Sequence, residues 1–289
     1  DLKGNQVAEF VEHRDSVLKV LFSPDGKYLA TASSDCSAKL WNLEGKRVAE
    51  FMGHRGGINS ISFSHDSKVI ATASDDRTAR LWRLDGSKIR EFTGHGGWIR
   101  GVSFSPNGKV LATTSDDCTA RLWDVNGDPI AEFAGHEGTV LSLSFSPDGK
   151  LLATASSDGT ARLWDAEGSQ TVKFTRHEGA VLSLSFSPNG KMLAMASSDN
   201  TARLLTLDGS QIAEFVGHEG WVNSVSFSPD GKMLATAGDD KTARLWDLEG
   251  NQIAEFAKHQ GKVFRVSFSP DGKTLATVSN DRSIRLWNI

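Results

Sequence analysis

A fixed interval of 41 residues runs through this 289-residue chain and constrains its fold more than any other feature. The interval separates seven of the eight histidines: His13, His54, His95, His136, His177, His218 and His259. Tryptophan follows the same interval, with leucine at one place: Trp41, Trp82, Trp123, Trp164, Leu205, Trp246 and Trp287. An aspartate precedes each of those places by six residues: Asp35, Asp76, Asp117, Asp158, Asp199, Asp240 and Asp281. A period of this length indicates repeated supersecondary units that bury their apolar faces against one another.

Apolar residues within each unit alternate with a period of two, which predicts strands rather than helices. In the fourth unit we expect strands at Val140–Phe145, 151–156, 160–164 and 171–174. Pro147-Asp148-Gly149 fits a tight turn between the first two strands, because Pro presets φ and Gly accepts a positive φ. The first strand breaks its alternation once, which predicts a β-bulge. The sequence therefore predicts an all-β fold with four antiparallel strands in each unit.

The two ends of the chain complement each other. Residues 1–10 match residues 247–256, which form a predicted third turn and fourth strand, whereas the last unit ends after three strands. We expect the N-terminal strand (about residues 1–12) to complete the last unit, because this closes a ring and leaves no bare strand edges. The prediction is a single domain spanning residues 1–289, a seven-bladed β-propeller.

The motifs of the unit resemble those of the WD-repeat (WD40) β-propeller family over the whole chain. Gly-His stands near the start of most units, Asp lies in a turn, and Trp-Asp is literal at Trp123-Asp124, Trp164-Asp165 and Trp246-Asp247. The near-identity of the units is similar to highly repetitive bacterial WD-repeat arrays, which are frequently attached to larger signalling or NTPase proteins. The resemblance also implies a buried network that joins the Trp, a strand-two hydroxyl, the His and the Asp. We assign the hydroxyl to the residue ten before each Trp: Thr31, Thr72, Thr113, Thr154, Thr236 and Thr277.

A hydroxyl, an imidazole and a carboxylate in every unit also invite a catalytic interpretation. Their periodicity argues against it, since a reaction needs one constellation in an asymmetric pocket. The fifth unit supports a structural role, because it lacks both the Trp (Leu205) and the Thr (Met195). Losing both partners avoids a stranded buried hydroxyl. We therefore expect this blade to pack as hydrocarbon and to leave His177 and Asp199 less constrained.

A basic residue stands two before each Trp position: Lys39, Arg80, Arg121, Arg162, Arg203, Arg244 and Arg285. These residues could form a basic ring for phosphates. We favour cross-strand pairing with acids on the fourth strand: Glu9, Glu50, Glu91, Glu132, Glu214 and Glu255.

Positions that differ between units are free to carry a binding site. In WD40 propellers, three such positions line one face of the ring, the top face, where peptides and proteins commonly bind. The predicted partner-binding residues are Trp98, Arg100, Trp221, Phe264, Asn59, Asn223, Lys262, Asp75, Asp116 and Asp239. The alternative for each Trp is packing over its own blade. The aspartates could attract a basic peptide or calcium, but calcium wants six to eight converging oxygens, so we expect no metal and no cofactor.

Composition excludes several classes of function. A net charge of −4 provides no basic excess for nucleic acid or an anionic membrane, and no apolar run could span a bilayer. Two distant cysteines and no visible signal peptide lead us to expect a cytoplasmic domain from a longer chain. The favoured function is a non-catalytic scaffold with a protein or peptide partner, as a monomeric ring. The alternatives are a purely architectural ring and an enzyme that uses the central channel, which the Ser, Gly, Lys19 and Arg265 of the first strands disfavour.

Overall fold

The computed structural model describes residues 6–289, which fold into 28 strands joined by turns. The first fourteen strands are β1 (Gln6–Phe10), β2 (Val17–Phe22), β3 (Tyr28–Ser33), β4 (Ala38–Asn42), β5 (Arg47–Phe51), β6 (Ile58–Phe63), β7 (Val69–Ser74), β8 (Ala79–Arg83), β9 (Lys88–Phe92), β10 (Ile99–Phe104), β11 (Val110–Ser115), β12 (Thr119–Asp124), β13 (Pro129–Ala134) and β14 (Val140–Phe145). The others are β15 (Leu152–Ser156), β16 (Ala161–Trp164), β17 (Gln170–Phe174), β18 (Val181–Phe186), β19 (Met192–Ser197), β20 (Thr201–Thr206), β21 (Gln211–Val216), β22 (Val222–Phe227), β23 (Met233–Gly238), β24 (Ala243–Asp247), β25 (Gln252–Phe256), β26 (Val263–Phe268), β27 (Thr274–Ser279) and β28 (Ile284–Asn288).

These strands form seven antiparallel sheets of four strands each, here called blades 1 to 7. Blade 1 has the order β2-β3-β4-β5, and blades 2 to 6 repeat this pattern along the chain. Blade 7 has the order β26-β27-β28-β1, so the N-terminal strand supplies its fourth strand. In this pairing Ala8 lies opposite Leu286 and Phe10 opposite Ile284. The predicted fold and its closure are confirmed for the described residues; residues 1–5 of the expected N-terminal strand lie outside them.

The first strand of each blade lies innermost. Each inner strand contacts the inner strands of both neighbouring blades, and β2 contacts β26, which completes the circle. The space that these seven strands enclose is the central channel. Residues 6–289 include no helix with the length and apolar character that crossing a bilayer requires.

Apolar layers between successive blades form the core. Between blades 1 and 2, for example, Ala30 and Leu40 pack with Ile58, Phe63 and Trp82, and all five side chains are buried. Small alanines on the second and third strands let one sheet approach the large side chains of the next, as close packing requires. Each blade therefore buries its faces against its neighbours and leaves its two ends free for loops.

The predicted β-bulge is present in the first strand of every blade, for instance between Val140 and Ser142. The turn after that strand also has the expected geometry: the Gly149 N–H donates to the Ser146 carbonyl at 2.8 Å, and Gly149 has a φ of 71°. These turns define the bottom face. The loops that carry the repeated His and the turns that carry the repeated Asp define the top face.

Candidate functional site: the top face

A chain of hydrogen bonds runs through each of the six blades that carry both Trp and Thr. In blade 3 the Trp123 Nε1–H donates to Thr113 Oγ1 at 2.8 Å, and Thr113 Oγ1 lies 2.8 Å from His95 Nε2. The other ring nitrogen, His95 Nδ1, lies 2.8 Å from Asp117 Oδ2. The same three distances fall between 2.8 and 3.0 Å in all six blades.

The hydrogen-bond partners of the His95 imidazole show which of its nitrogens carries the proton. The carboxylate only accepts, so His95 Nδ1 carries the hydrogen, and Nε2 accepts from the Thr113 hydroxyl, which in turn accepts from the indole. Burial lowers the pKa of His95 and outweighs the opposing effect of Asp117, which keeps the ring neutral. Every member of the chain then has the partner it needs, and the blade has one favoured arrangement.

The aspartate at the end of this chain is saturated with hydrogen bonds. Asp117 accepts from His95, from the Gly96 N–H, and from the N–H and hydroxyl of Thr119. Burial alone would raise the pKa of Asp117, but the hydrogen bonds from Thr119 and His95 outweigh it and lower the pKa to about 2. Because Thr113 is fully buried and its hydroxyl proton is engaged, this network presents no nucleophile to a substrate.

Blade 5 differs from the sequence-based expectation in one respect. Met195 and Leu205 are fully buried, so the blade does pack as hydrocarbon. The expectation that His177 and Asp199 are less constrained is wrong for one nitrogen of the imidazole, since His177 Nδ1 still lies 2.7 Å from Asp199 Oδ2. The other imidazole nitrogen, His177 Nε2, is buried without a hydrogen-bond partner in the described part of the chain. Because this blade lacks both the Trp and the Thr, it has no buried hydroxyl without a partner, but the imidazole nitrogen that the Thr would bind is left without a hydrogen bond.

The basic residues of the third strands lie beside the fourth-strand acids. Six such pairs have nitrogen–oxygen distances between 2.9 and 3.7 Å, for example Arg121 with Glu132 at 2.9 Å. Blade 4 has no such acid, because Lys173 lies opposite Arg162. Arg162 donates instead to Gln170 Oε1 at 2.8 Å. This pattern fits cross-strand pairing better than a ring of free cations.

Five of the predicted partner-binding residues form a first cluster on the top face of blades 2 and 3. Asn59 Nδ2 donates to Asp75 Oδ1 at 2.7 Å and to the Ile99 carbonyl at 3.0 Å. Arg100 donates from Nε and Nη2 to the two oxygens of Asp116, at 2.7 and 2.8 Å. The guanidinium also lies 4.8 Å from the ring centre of Trp98, whose side chain is 48% exposed.

The other five form a second cluster on blades 6 and 7, and its asparagine makes the same two hydrogen bonds as that of the first. Asn223 Nδ2 donates to Asp239 Oδ1 at 2.8 Å and to the Val263 carbonyl at 3.1 Å. Lys262 Nζ forms an ion pair with Asp239 and lies 5.8 Å from the ring centre of Trp221. Trp221 is 52% exposed, and Phe264 is half-buried beside it at the channel mouth.

A cavity of about 430 Å³ lies between the two clusters, where the channel opens on the top face. The residue five after the repeated His lines it in every blade: Leu18, Asn59, Arg100, Leu141, Leu182, Asn223 and Phe264. Trp221 and Arg265 complete the wall. One position of each of the seven repeats therefore converges on one asymmetric cavity.

Family comparisons agree with this architecture. Residues 43–288 match the family model described as IFT122 first beta-propeller, and residues 4–42 match the WD domain, G-beta repeat. The chain belongs to the WD40 β-propeller family. WD40 propellers are generally protein-interaction scaffolds and are typically non-enzymatic. No curated protein matches this chain.

The WD40 top face holds its carboxylates in ion pairs and hydrogen bonds. Asp116 is bound by Arg100, Asp239 by Lys262 and Asn223, and Asp75 by Asn59. These contacts weaken the attraction of the three aspartates for a basic peptide. Among residues 6–289, no three His, Cys, Asp or Glu side chains are grouped closely enough to hold a metal ion.

Five of the residues predicted from the sequence line the cavity (Asn59, Arg100, Trp221, Asn223 and Phe264), and five lie next to it or farther out. Leu18, Leu141 and Leu182 were not among the predicted site residues, although they occupy the same repeated position. A leucine in a strand does not by itself indicate a binding site, and only the convergence of the blades shows that these leucines line the cavity. Arg265 was also omitted, since it stands one residue beyond that position.

Proposed function

We propose that this domain is a non-catalytic interaction module that binds a protein or peptide partner at the centre of its top face. One observation carries the proposal: the unit-specific residues five after each repeated His converge on one cavity of about 430 Å³. A cavity of this size, with apolar walls and a few directed polar groups, is typical of binding sites. The positions that build the blades are shared by the units, whereas the cavity-lining position carries leucine in three blades and asparagine, arginine or phenylalanine in the other four.

The two clusters supply the side chains on which binding energy commonly depends. Trp98 and Trp221 are each about half exposed, and a cation lies over each ring. Tryptophan and arginine are enriched at the energetically dominant positions of protein interfaces. The Arg100–Asp116 pair and the Asn223–Asp239 hydrogen bond hold both clusters in place, so little side-chain entropy is lost when a partner docks.

We further propose that the domain works in the bacterial cytoplasm, as a monomeric ring within a larger signalling or NTPase-type protein. The near-identity of its repeats and its unpaired cysteines support this setting. In such a protein the ring would recognise a partner and leave any reaction to another domain.

The test is capture of partners from an extract of the source organism, with three versions of the ring as bait. The W98T/W221T variant introduces the residue that blade 4 carries at this position, Thr139. We expect it to lose partners that the wild-type ring captures, with affinity reduced roughly 30-fold or more for each indole that is a hot spot.

A matched control removes apolar residues of similar exposure elsewhere. Val48 and Ile130 are 49% and 51% exposed on the outermost strands of their blades. The V48T/I130T variant should capture the same partners as the wild type. Equal capture by all three baits would contradict binding at the top-face indoles, and a wild-type ring that captures no specific partner would leave the architectural ring as the alternative.

A further inference from the structure

Two long cationic side chains stand where most other blades carry serine. The position six after the repeated His is occupied by Lys19, Ser60, Gly101, Ser142, Ser183, Ser224 and Arg265. In blades 5 and 6 the serine hydroxyl accepts from an inner-strand amide of the next blade: Ser183 Oγ lies 3.4 Å from Val225 N, and Ser224 Oγ lies 3.4 Å from Val266 N. Lys19 and Arg265 belong to blades 1 and 7, whose inner strands are in contact. The two cations are therefore neighbours at the central channel.

No carboxylate of the inner strands neutralises this pair. The seven inner strands contain no Asp or Glu, and their third cation, Arg100, is already held by Asp116. Within residues 6–289 the Lys19 ammonium has no hydrogen-bond or ion-pair partner. Arg265 donates from Nη1 to the carbonyls of Asn223 and Phe264, at 2.5 and 3.0 Å. Its Nε is buried and has no partner in the same part of the chain.

This arrangement disfavours the charged forms of both side chains. Burial, followed by repulsion from Arg265, lowers the pKa of Lys19 to about 7. Burial lowers the pKa of Arg265 to about 10. Both residues are only partly exposed to solvent. A charge that is largely withdrawn from water is costly unless an opposite charge accompanies it, so the pair favours a counter-anion, which the inner strands do not supply.

We propose that Lys19 and Arg265 bind one carboxylate at the inner end of the central cavity, supplied by an acidic side chain or the chain terminus of the docked polypeptide. This inference rests on the proposed function and names the chemistry that the partner presents. Arg265 lines the cavity, so a group that enters from the top face reaches the guanidinium first. The Arg265 guanidinium and the Lys19 ammonium then donate to the carboxylate oxygens.

The walls above the cations favour a polypeptide over a free inorganic anion. Leu18, Leu141, Leu182 and Phe264 line the cavity that a group entering from the top face passes. A carboxylate at the end of an apolar stem fills this space and removes apolar surface from water, whereas a phosphate ion leaves it unfilled. The channel thus suits an acidic side chain or a C-terminal residue.

An NMR titration of the domain with hexanoate, hexanamide and inorganic phosphate tests the site without a known partner. The K19S and R265S variants carry the residue that Ser142 and Ser183 provide in intact blades, so both should fold. We expect hexanoate to bind the wild type at pH 6.5 and to bind each variant at least tenfold more weakly. Hexanamide should also bind at least tenfold more weakly, and the exposed bottom-face variant K150S should match the wild type.

Hexanoate affinity should also fall between pH 6 and pH 9, because the Lys19 ammonium loses its proton in this range. On the strands packed against β2, which are β3, β6, β26 and β27, the only other ionisable residues are Tyr28 and Arg265. Arg265 stays charged over most of this range, because its pKa is about 10.

Several results would overturn the inference. Equal binding of hexanoate and hexanamide, or unchanged binding to K19S and R265S, would exclude a carboxylate site at these residues. Tighter binding of phosphate than of hexanoate would make a free inorganic anion the ligand. If the K19S/R265S ring still captured partners that the W98T/W221T ring loses, the result would support the proposed interaction module and contradict the proposed carboxylate site.

Discussion

At the scale of single residues, the repeated polar side chains are positioned by partners rather than by solvent. Asp117 accepts four hydrogen bonds from three residues and has a pKa of about 2. An aspartate in an unfolded chain has a pKa of about 3.9. The folded-state pKa is the lower one, so Asp117 stabilises the fold fully above about pH 4, and this contribution is lost as the pH falls to about 2.

Replacing Asp117 with asparagine should therefore destabilise the ring in a pH-dependent way. At pH 7 we expect D117N to lower the free energy of unfolding by an amount on the order of 2 kcal/mol, and we expect the difference to shrink as the pH falls below 4. Urea unfolding midpoints of both proteins between pH 7 and pH 2.5 measure this. The E167Q variant, altered at an exposed turn residue, serves as the control and should follow the wild type. A D117N deficit that is the same at every pH would contradict the assigned role.

At the scale of strands and blades, the sequence pattern was informative where one face of a strand is buried. The alternation and the turn residues predicted all four strands of the blade and the first-strand bulge. A second irregularity, between the third and fourth strands at Leu122 and Trp123, was not predicted. The outermost strands are largely exposed, so their sequences carry little hydrophobic pattern from which a shift of register could be inferred.

Blade 5 provides a test of the hydrogen-bond chain at this scale. The M195T/L205W variant restores the Thr and Trp of the other blades and gives the orphaned His177 Nε2 a donor. A double-mutant cycle on urea unfolding should show that the two substitutions favour each other by about 1 kcal/mol, because the new hydroxyl needs both the indole and the imidazole. The reverse pair, T113M and W123L in blade 3, should show coupling of the same sign. Purely additive effects in both blades would contradict the proposed chain.

At the scale of the whole molecule, ring closure converts repeated positions into a single site. The repeat and the matching ends were enough to predict seven blades and the pairing of the N-terminal strand with the last blade, which β1 and β28 make. The full cavity could not be predicted, because its leucines come together only when the seven inner strands surround the channel. The bulge between Val263 and Arg265 also places two successive residues, Phe264 and Arg265, in the cavity wall, which strict alternation would not predict.

Positions shared by the repeats build the ring, and in the proposed function unit-specific positions bind the partner. A symmetrised ring, in which each of the ten predicted partner-binding residues is replaced by its blade 4 counterpart (Thr139, Leu141 or Ser157), separates these roles. Its substitutions are Asn59→Leu, Asp75→Ser, Trp98→Thr, Arg100→Leu, Asp116→Ser, Trp221→Thr, Asn223→Leu, Asp239→Ser, Lys262→Thr and Phe264→Leu.

The decisive measurement is partner capture by this symmetrised ring, made alongside its thermal unfolding. We expect a folded ring, with a β-sheet circular dichroism spectrum and a cooperative transition close to that of the wild type, that captures none of the wild-type partners. Capture of the same partners by the folded, symmetrised ring would contradict the account.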